Sequence, residues 1–139
     1  MILIRKKIFN FILLLATISF LMACEEDPYR RDWDQATYAL CSSTWYDSYI
    51  NKNGLDCEQY LTFYNDGTGT DRTITYYNNG MQDERRSDFY WDWNDQYFSS
   101  FAVTYSDGTD YYENISIGNG IFDCMLNGAA VTFKATNYY

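Results

Sequence analysis

A cysteine thiol stands at position 24, directly behind a segment built for export and cleavage. Arg5, Lys6 and Lys7 form a positive stretch, residues 8–22 form an apolar run, and Ala23 supplies the small residue that a signal peptidase requires at its cut. A membrane-spanning helix is the competing reading, and it needs about 20 apolar residues. This run is shorter and is interrupted by Asn10, Thr17 and Ser19. The spacing therefore predicts a signal peptide over residues 1–23, with Cys24 immediately beyond it.

Elsewhere the chain carries little that could catalyse. It contains no histidine, which removes the usual general base, the usual zinc ligand and the Ser-His or Cys-His nucleophile pairs together. Paired carboxylates can hydrolyse a glycoside without histidine. Glu113 shares the alternation phase of Tyr111, Ile115 and Ile117, which would turn it inward near a barrel mouth. A carboxylate bonded to tyrosine hydroxyls at a wet rim is the plainer reading of that position. The Asp/Asn/Gly-rich turns match calcium loops in composition alone, since the ligand spacing of an EF-hand is absent. No enzyme activity, cofactor or metal is expected.

Tyrosine is the remaining chemistry-bearing residue, with 15 copies. Tyr46, Tyr64, Tyr77, Tyr90 and Tyr112 are expected on the polar face of the strand alternation, beside Thr62, Asp92 and Asn114. A flat ring with a hydroxyl tip suits sugar stacking and recognition surfaces. The same pairs also stabilise sheets by roughly 0.2–1 kcal/mol without any partner. Candidate ligand contacts are thus Tyr46, Tyr64, Tyr90, Tyr112 and Glu113.

The elements that must position these side chains are short period-two runs at 44–50, 58–64, 70–77, 86–93, 99–105, 110–117, 121–126 and 130–137. Asn65-Asp66-Gly67, Asn78-Asn79-Gly80, Gly118-Asn119-Gly120 and Asn127-Gly128 are among the breaks between them. Such residues supply the positive φ that tight hairpins need. Phe89, Trp91 and Trp93 alternate with Asp88, Tyr90 and Asp92, as in a strand with one buried face. The single proline, Pro28, precedes every run, so no ladder is broken. An all-β, antiparallel, up-and-down barrel of eight strands follows. Strands of about six to eight residues leave little room inside, and Trp45, Phe63, Tyr76, Phe89, Trp91, Trp93, Phe101, Tyr105 and Phe133 are expected to fill it.

Three of the ten basic residues and none of the nineteen acidic ones precede Cys24. The mature chain therefore has a formal charge of −12 over 116 residues. That suits one domain with a modest core and disfavours nucleic acid and anionic headgroups. Residues 24–39 are polar and read as an acidic tether, ending in a helical turn or a plug, ahead of a barrel domain at 40–139. Cys41, Cys57 and Cys124 are expected as free, buried thiols. Antiparallel pairing of the first two strands puts Cys41 and Cys57 roughly 20 Å apart, beyond the ~7 Å that a disulfide tolerates.

Leu21-Met22-Ala23-Cys24 resembles the lipobox of bacterial lipoproteins. That resemblance implies a diacylglyceryl group on the Cys24 thiol, cleavage before it and acylation of the new N-terminus. Two or more chains hold stably where one holds marginally. Glu25-Glu26-Asp27-Pro28 resembles the signal that sends lipoproteins of Bacteroidota to the cell surface, and retention facing the periplasm is the alternative. A second resemblance rests on Thr44-Trp45, Leu61-Thr62-Phe63, Asp66-Gly67-Thr68-Gly69-Thr70, Tyr90-Trp91-Asp92-Trp93 and Leu126 with Val131-Thr132-Phe133. Together these resemble the small lipocalin-like lipoproteins of Bacteroidota over residues 39–138, with Ser43 where that family usually has glycine. It implies a lipocalin-like barrel on the outer membrane. Its expected role is non-catalytic binding of a small molecule or glycan, or else service as a protein-interaction subunit of an outer-membrane complex.

Overall fold

The computed structural model describes residues 28–136, with side chains from Asp32 onward. The signal segment, Cys24 and the acidic run before Pro28 lie outside the described residues, as do residues 137–139. One helix, α1 (Pro28–Cys41), precedes eight strands: β1 (Thr44–Ile50), β2 (Asp56–Phe63), β3 (Thr68–Tyr76), β4 (Gln82–Trp93), β5 (Phe101–Tyr105), β6 (Gly108–Gly118), β7 (Ile121–Leu126) and β8 (Ala129–Ala135). Each strand pairs antiparallel with its neighbour, and β8 returns to β1 through Trp45↔Ala135 and Tyr46↔Lys134, so the sheet closes. The up-and-down eight-stranded barrel expected from the turn chemistry is what forms.

Closure buries one phase of every strand. Trp45, Leu61, Phe63, Phe89, Trp91, Phe101, Val103, Tyr112, Phe122, Cys124 and Phe133 form one cluster with Leu40 of α1. Phe101 stacks on Tyr112 at 4.8 Å, while Phe63 meets Phe89, Trp91 and Phe101 edge-on or tilted. These offset and T-shaped contacts are the favoured geometries for rings. Gly69 faces Phe89 across the β3–β4 ladder. A Cβ there would overlap the Phe89 ring and meet the Thr62 carbonyl oxygen, so this glycine makes room for an aromatic.

The stretch read as a tether is instead mostly helix. Trp33, Ala36, Thr37, Leu40 and Cys41 recur at the spacing of one helical face, and all five are half-buried or buried. Pro28 opens the helix, where a missing N–H costs nothing, and Ser42 Oγ donates to the Ala39 carbonyl at its end. That face closes one end of the barrel. Trp45 Nε1 donates to the Leu40 carbonyl at 2.7 Å, and Trp93 Nε1 donates to Thr37 Oγ1 at 3.1 Å. Cys57 and Cys124 are buried and free as expected, but Cys41 is only half-buried, because it lies at the edge of this plug.

Three expected orientations are reversed. Tyr112 is 1% exposed, while Glu113 and Tyr111 face solvent. A register shift between Glu113 and Ser116, with Asn114 at φ 52°, inserts a bulge that changes the inward phase of β6. Ile115 and Ile117 pack inward beyond the bulge and Tyr112 before it, so extrapolating from the isoleucines misplaces both Tyr112 and Glu113. Tyr76 is outward, not core: the inward phase of β3 runs Gly69, Asp71, Thr73, Thr75. The aromatic falls on the outer face because the barrel interior has turned polar there.

Candidate functional site

The polar half of the interior is a cup at the end opposite α1. The β1–β2, β3–β4, β5–β6 and β7–β8 connections surround this end, whereas α1 and the β2–β3 and β4–β5 connections occupy the other. The cup encloses about 340 Å³, and its lining includes Tyr49, Asp71, Thr73, Asp83, Arg85 and Tyr105. That volume falls in the small-molecule range.

Each lining residue continues the inward phase of a strand whose other half fills the aromatic core. Upward from Phe89 on β4 come Ser87, Arg85 and Asp83, and from Tyr112 on β6 comes Asp110. The strand β4 has 12 residues and β6 has 11, longer than the six to eight expected, and the surplus builds the wall. A run such as Gln82-Asp83-Glu84-Arg85-Arg86-Ser87 gives no hydrophobic alternation and reads as loop. Carrying the period of two backward from Phe89 was the signal that would have found it.

Asp71 is the organising group at the floor. Its Oδ2 accepts from Gln59 Nε2 at 2.8 Å and from the Tyr105 hydroxyl at 3.0 Å, and its Oδ1 accepts from Thr73 Oγ1 at 3.2 Å. Beneath it Tyr105 packs edge-on against Phe89, so the floor is aromatic. Burial first, then the charges of Asp71, Asp110 and Asp107, drive the Tyr105 phenol far above its ordinary pKa. It stays a neutral donor at any physiological pH. Burial, together with Asp71 and Asp47, also raises the Tyr49 phenol. At the rim, Arg85 lies 3.8 Å from Asp107, an exposed pair of little energetic weight.

The five residues expected to contact ligand do not converge. Tyr90 is 71% exposed on the outer face of β4, Tyr64 lies beside α1 at the closed end, Tyr112 is core and Glu113 is outside. Tyr46 alone belongs to a cluster. Its ring packs on Tyr60 at 5.2 Å, and the hydroxyls of Tyr46, Tyr60 and Tyr76 all donate to Glu58. Arg72 sits over the Tyr60 ring and pairs with Glu84 at 3.0 Å. In this outer network the three phenol hydroxyls are spent on one carboxylate, which marks it as cross-strand stabilisation. The concave, mixed polar and aromatic cup is the better site. Sequence reasoning missed Asp71, Asp83, Arg85 and Asp110 there, and placed Tyr105 only in the core.

Among the described residues no group of three or more acidic or cysteine side chains is placed to hold a metal ion. No protein-family model matches this chain, and no curated protein or solved structure matches it either.

Proposed function

We propose that this chain is a lipoprotein anchored through Cys24 to the outer membrane and exposed at the cell surface, and that its barrel binds a small polar molecule or glycan without transforming it. The observation that carries the binding reading is the cup: a concave wall of phenols, hydroxyls and carboxylates over a packed aromatic floor. Hydroxyl-rich ligands are bound by such groups, through carboxylate acceptors and ring faces. The same arrangement speaks against hydrolysis. Asp71 is committed as an acceptor to three protein donors, whereas a glycosidase acid must present a proton to a leaving group.

A screen of the unlipidated domain against glycans and small amines, followed by calorimetric titration of the best hit, tests the reading. Asp83→Asn, on the cup wall and not tied to three protein donors as Asp71 is, should weaken binding about tenfold or more, since a charge-assisted hydrogen bond contributes ~1.5–3 kcal/mol. Tyr90→Ala should change nothing. Affinity should stay level between about pH 6 and 8, because ordinary carboxylates and phenols titrate outside that range and Tyr105 is displaced further from it. A site at Tyr90 would reverse the order of the two variants.

The anchor is tested separately. Cys24→Ala should abolish incorporation of a clickable fatty acid in cells while the barrel still folds. Equal label on the variant would remove the lipoprotein reading.

One observation favours a second reading. Ile50, Tyr77 and Met81 are exposed around the cup, an apolar rim that a protein partner would cover. A domain that binds nothing in the screen, and loses a specific cross-link to an outer-membrane protein on Ile50→Ser with Met81→Ser, would be an accessory subunit.

A further inference from the structure

The closed end and the cup are at opposite ends of the barrel, and the proposed anchor is attached to only one of them. The helix α1 begins at Pro28, four residues after Cys24. Four residues span at most about 14 Å even when fully extended. From Asp32 onward α1 belongs to the closed end: Asp32, Gln35 and Ala36 share a groove with Gln96, Tyr97 and Phe98 of the β4–β5 connection, and Thr37, Tyr38 and Cys41 share another with Phe63, Tyr64 and Asn65; Pro28 is one helical turn, about 6 Å, before Asp32. The far rim is set by the 12 residues of β4. At about 3.3 Å per residue and a tilt near 40°, the rim stands roughly 30 Å away along the axis.

From these lengths we infer that the closed end rests on the membrane and that the cup opens away from it. This deepens the proposed function and depends on its anchor. Turning the cup toward the bilayer would require the leash to run the length of the barrel, about twice what it can span. The leash alone would permit the barrel to lie on its side. The exposed side chains around α1 select the end-on pose: Tyr38 is 76% exposed, Tyr97 is 79% exposed and Tyr64 is half exposed, and tyrosine partitions to the headgroup layer with its ring down and hydroxyl wet. Charge sets the kind of membrane. From Glu25 to Asp34 the chain carries five carboxylates against the two cations Arg30 and Arg31, so this end is net negative and contact is with zwitterionic headgroups and not with an anionic lipid. A surface-anchored receptor in this pose offers its ligand site to the medium.

The experiment uses the full lipidated chain in vesicles of phosphatidylcholine and phosphatidylethanolamine carrying a headgroup-labelled acceptor lipid. A donor dye is placed at Gln96 or at Asn79, through an azide-bearing amino acid that leaves the native cysteines untouched. Flotation is scored first, with Cys24→Ala as the unanchored control. Wild type floating, with transfer from position 96 several times that from position 79, is the expected result. Tyr38→Ser with Tyr97→Ser should lower the transfer from 96 while flotation persists. Equal transfer from both positions in a floating protein would overturn the orientation and leave the anchor intact. A wild type that fails to float would remove the anchor and the orientation with it.

Discussion

Trp91→Ala should destabilise the barrel by about 3–5 kcal/mol, while Tyr90→Ala should cost about 0.5 kcal/mol or less. The two residues are aromatic neighbours on β4 that point to opposite faces. Trp91 is 7% exposed and touches Phe63, Trp93 and Phe101 through ring contacts of 5.8–5.9 Å. Its Nε1 is shared between the carbonyls of Tyr64 and Thr68, at 3.0 and 3.1 Å. Truncation would empty the centre of the core and leave both carbonyls of the β2–β3 turn without that donor. Tyr90 offers no such inventory. A domain of this size has of order 5–15 kcal/mol in total, so the first variant should be close to unfolding at 37 °C. Urea melts of the pair decide the matter: a costlier Tyr90→Ala would mean that the inward phase of β4 is wrong, and the cup wall at Asp83 and Arg85 with it.

That dependence shows what the amino-acid pattern discloses and what it hides. Hairpin turns and aromatic alternation specify strand number, pairing and closure, because a one-residue slip would move every ring to solvent. The buried half of most strands was therefore legible, from Trp45 to Phe133. The cup was not, because its inward residues are as polar as its outward ones and the alternation loses contrast where the barrel opens. Tyr76 was misassigned for the same reason: where Asp71 and Thr73 point inward, the aromatic is the outer residue. The bulge at Asn114 is a different failure. Asn adopts positive φ in turns and in bulges alike, so a lone Asn inside an apolar run does not announce that the phase changes after it. Tyr112 and Glu113 exchanged faces on that single residue.

The helix was read only as a final turn or plug, though its full length was legible. Its apolar face carries Trp33, Ala36, Thr37, Leu40 and Cys41, a pattern diluted by a threonine that serves as acceptor for Trp93. A buried hydroxyl is tolerated there because it has that partner. If α1 is part of the core, Leu40→Ala should cost about 2–5 kcal/mol, since Leu40 is wholly buried and its carbonyl accepts the Trp45 indole N–H. The exposed Tyr38, two positions away, should tolerate Ala with a loss of about 0.5 kcal/mol or less. Hydrogen exchange at the Trp45 and Trp93 indoles should quicken in the Leu40 variant before the strands themselves open, because the plug is released first. Were Leu40→Ala no costlier than Tyr38→Ala, α1 would lie on the barrel without sealing it. The folded unit would then begin near Thr44, and the leash to Cys24 would lengthen by the whole of α1, enough to free the orientation of the cup.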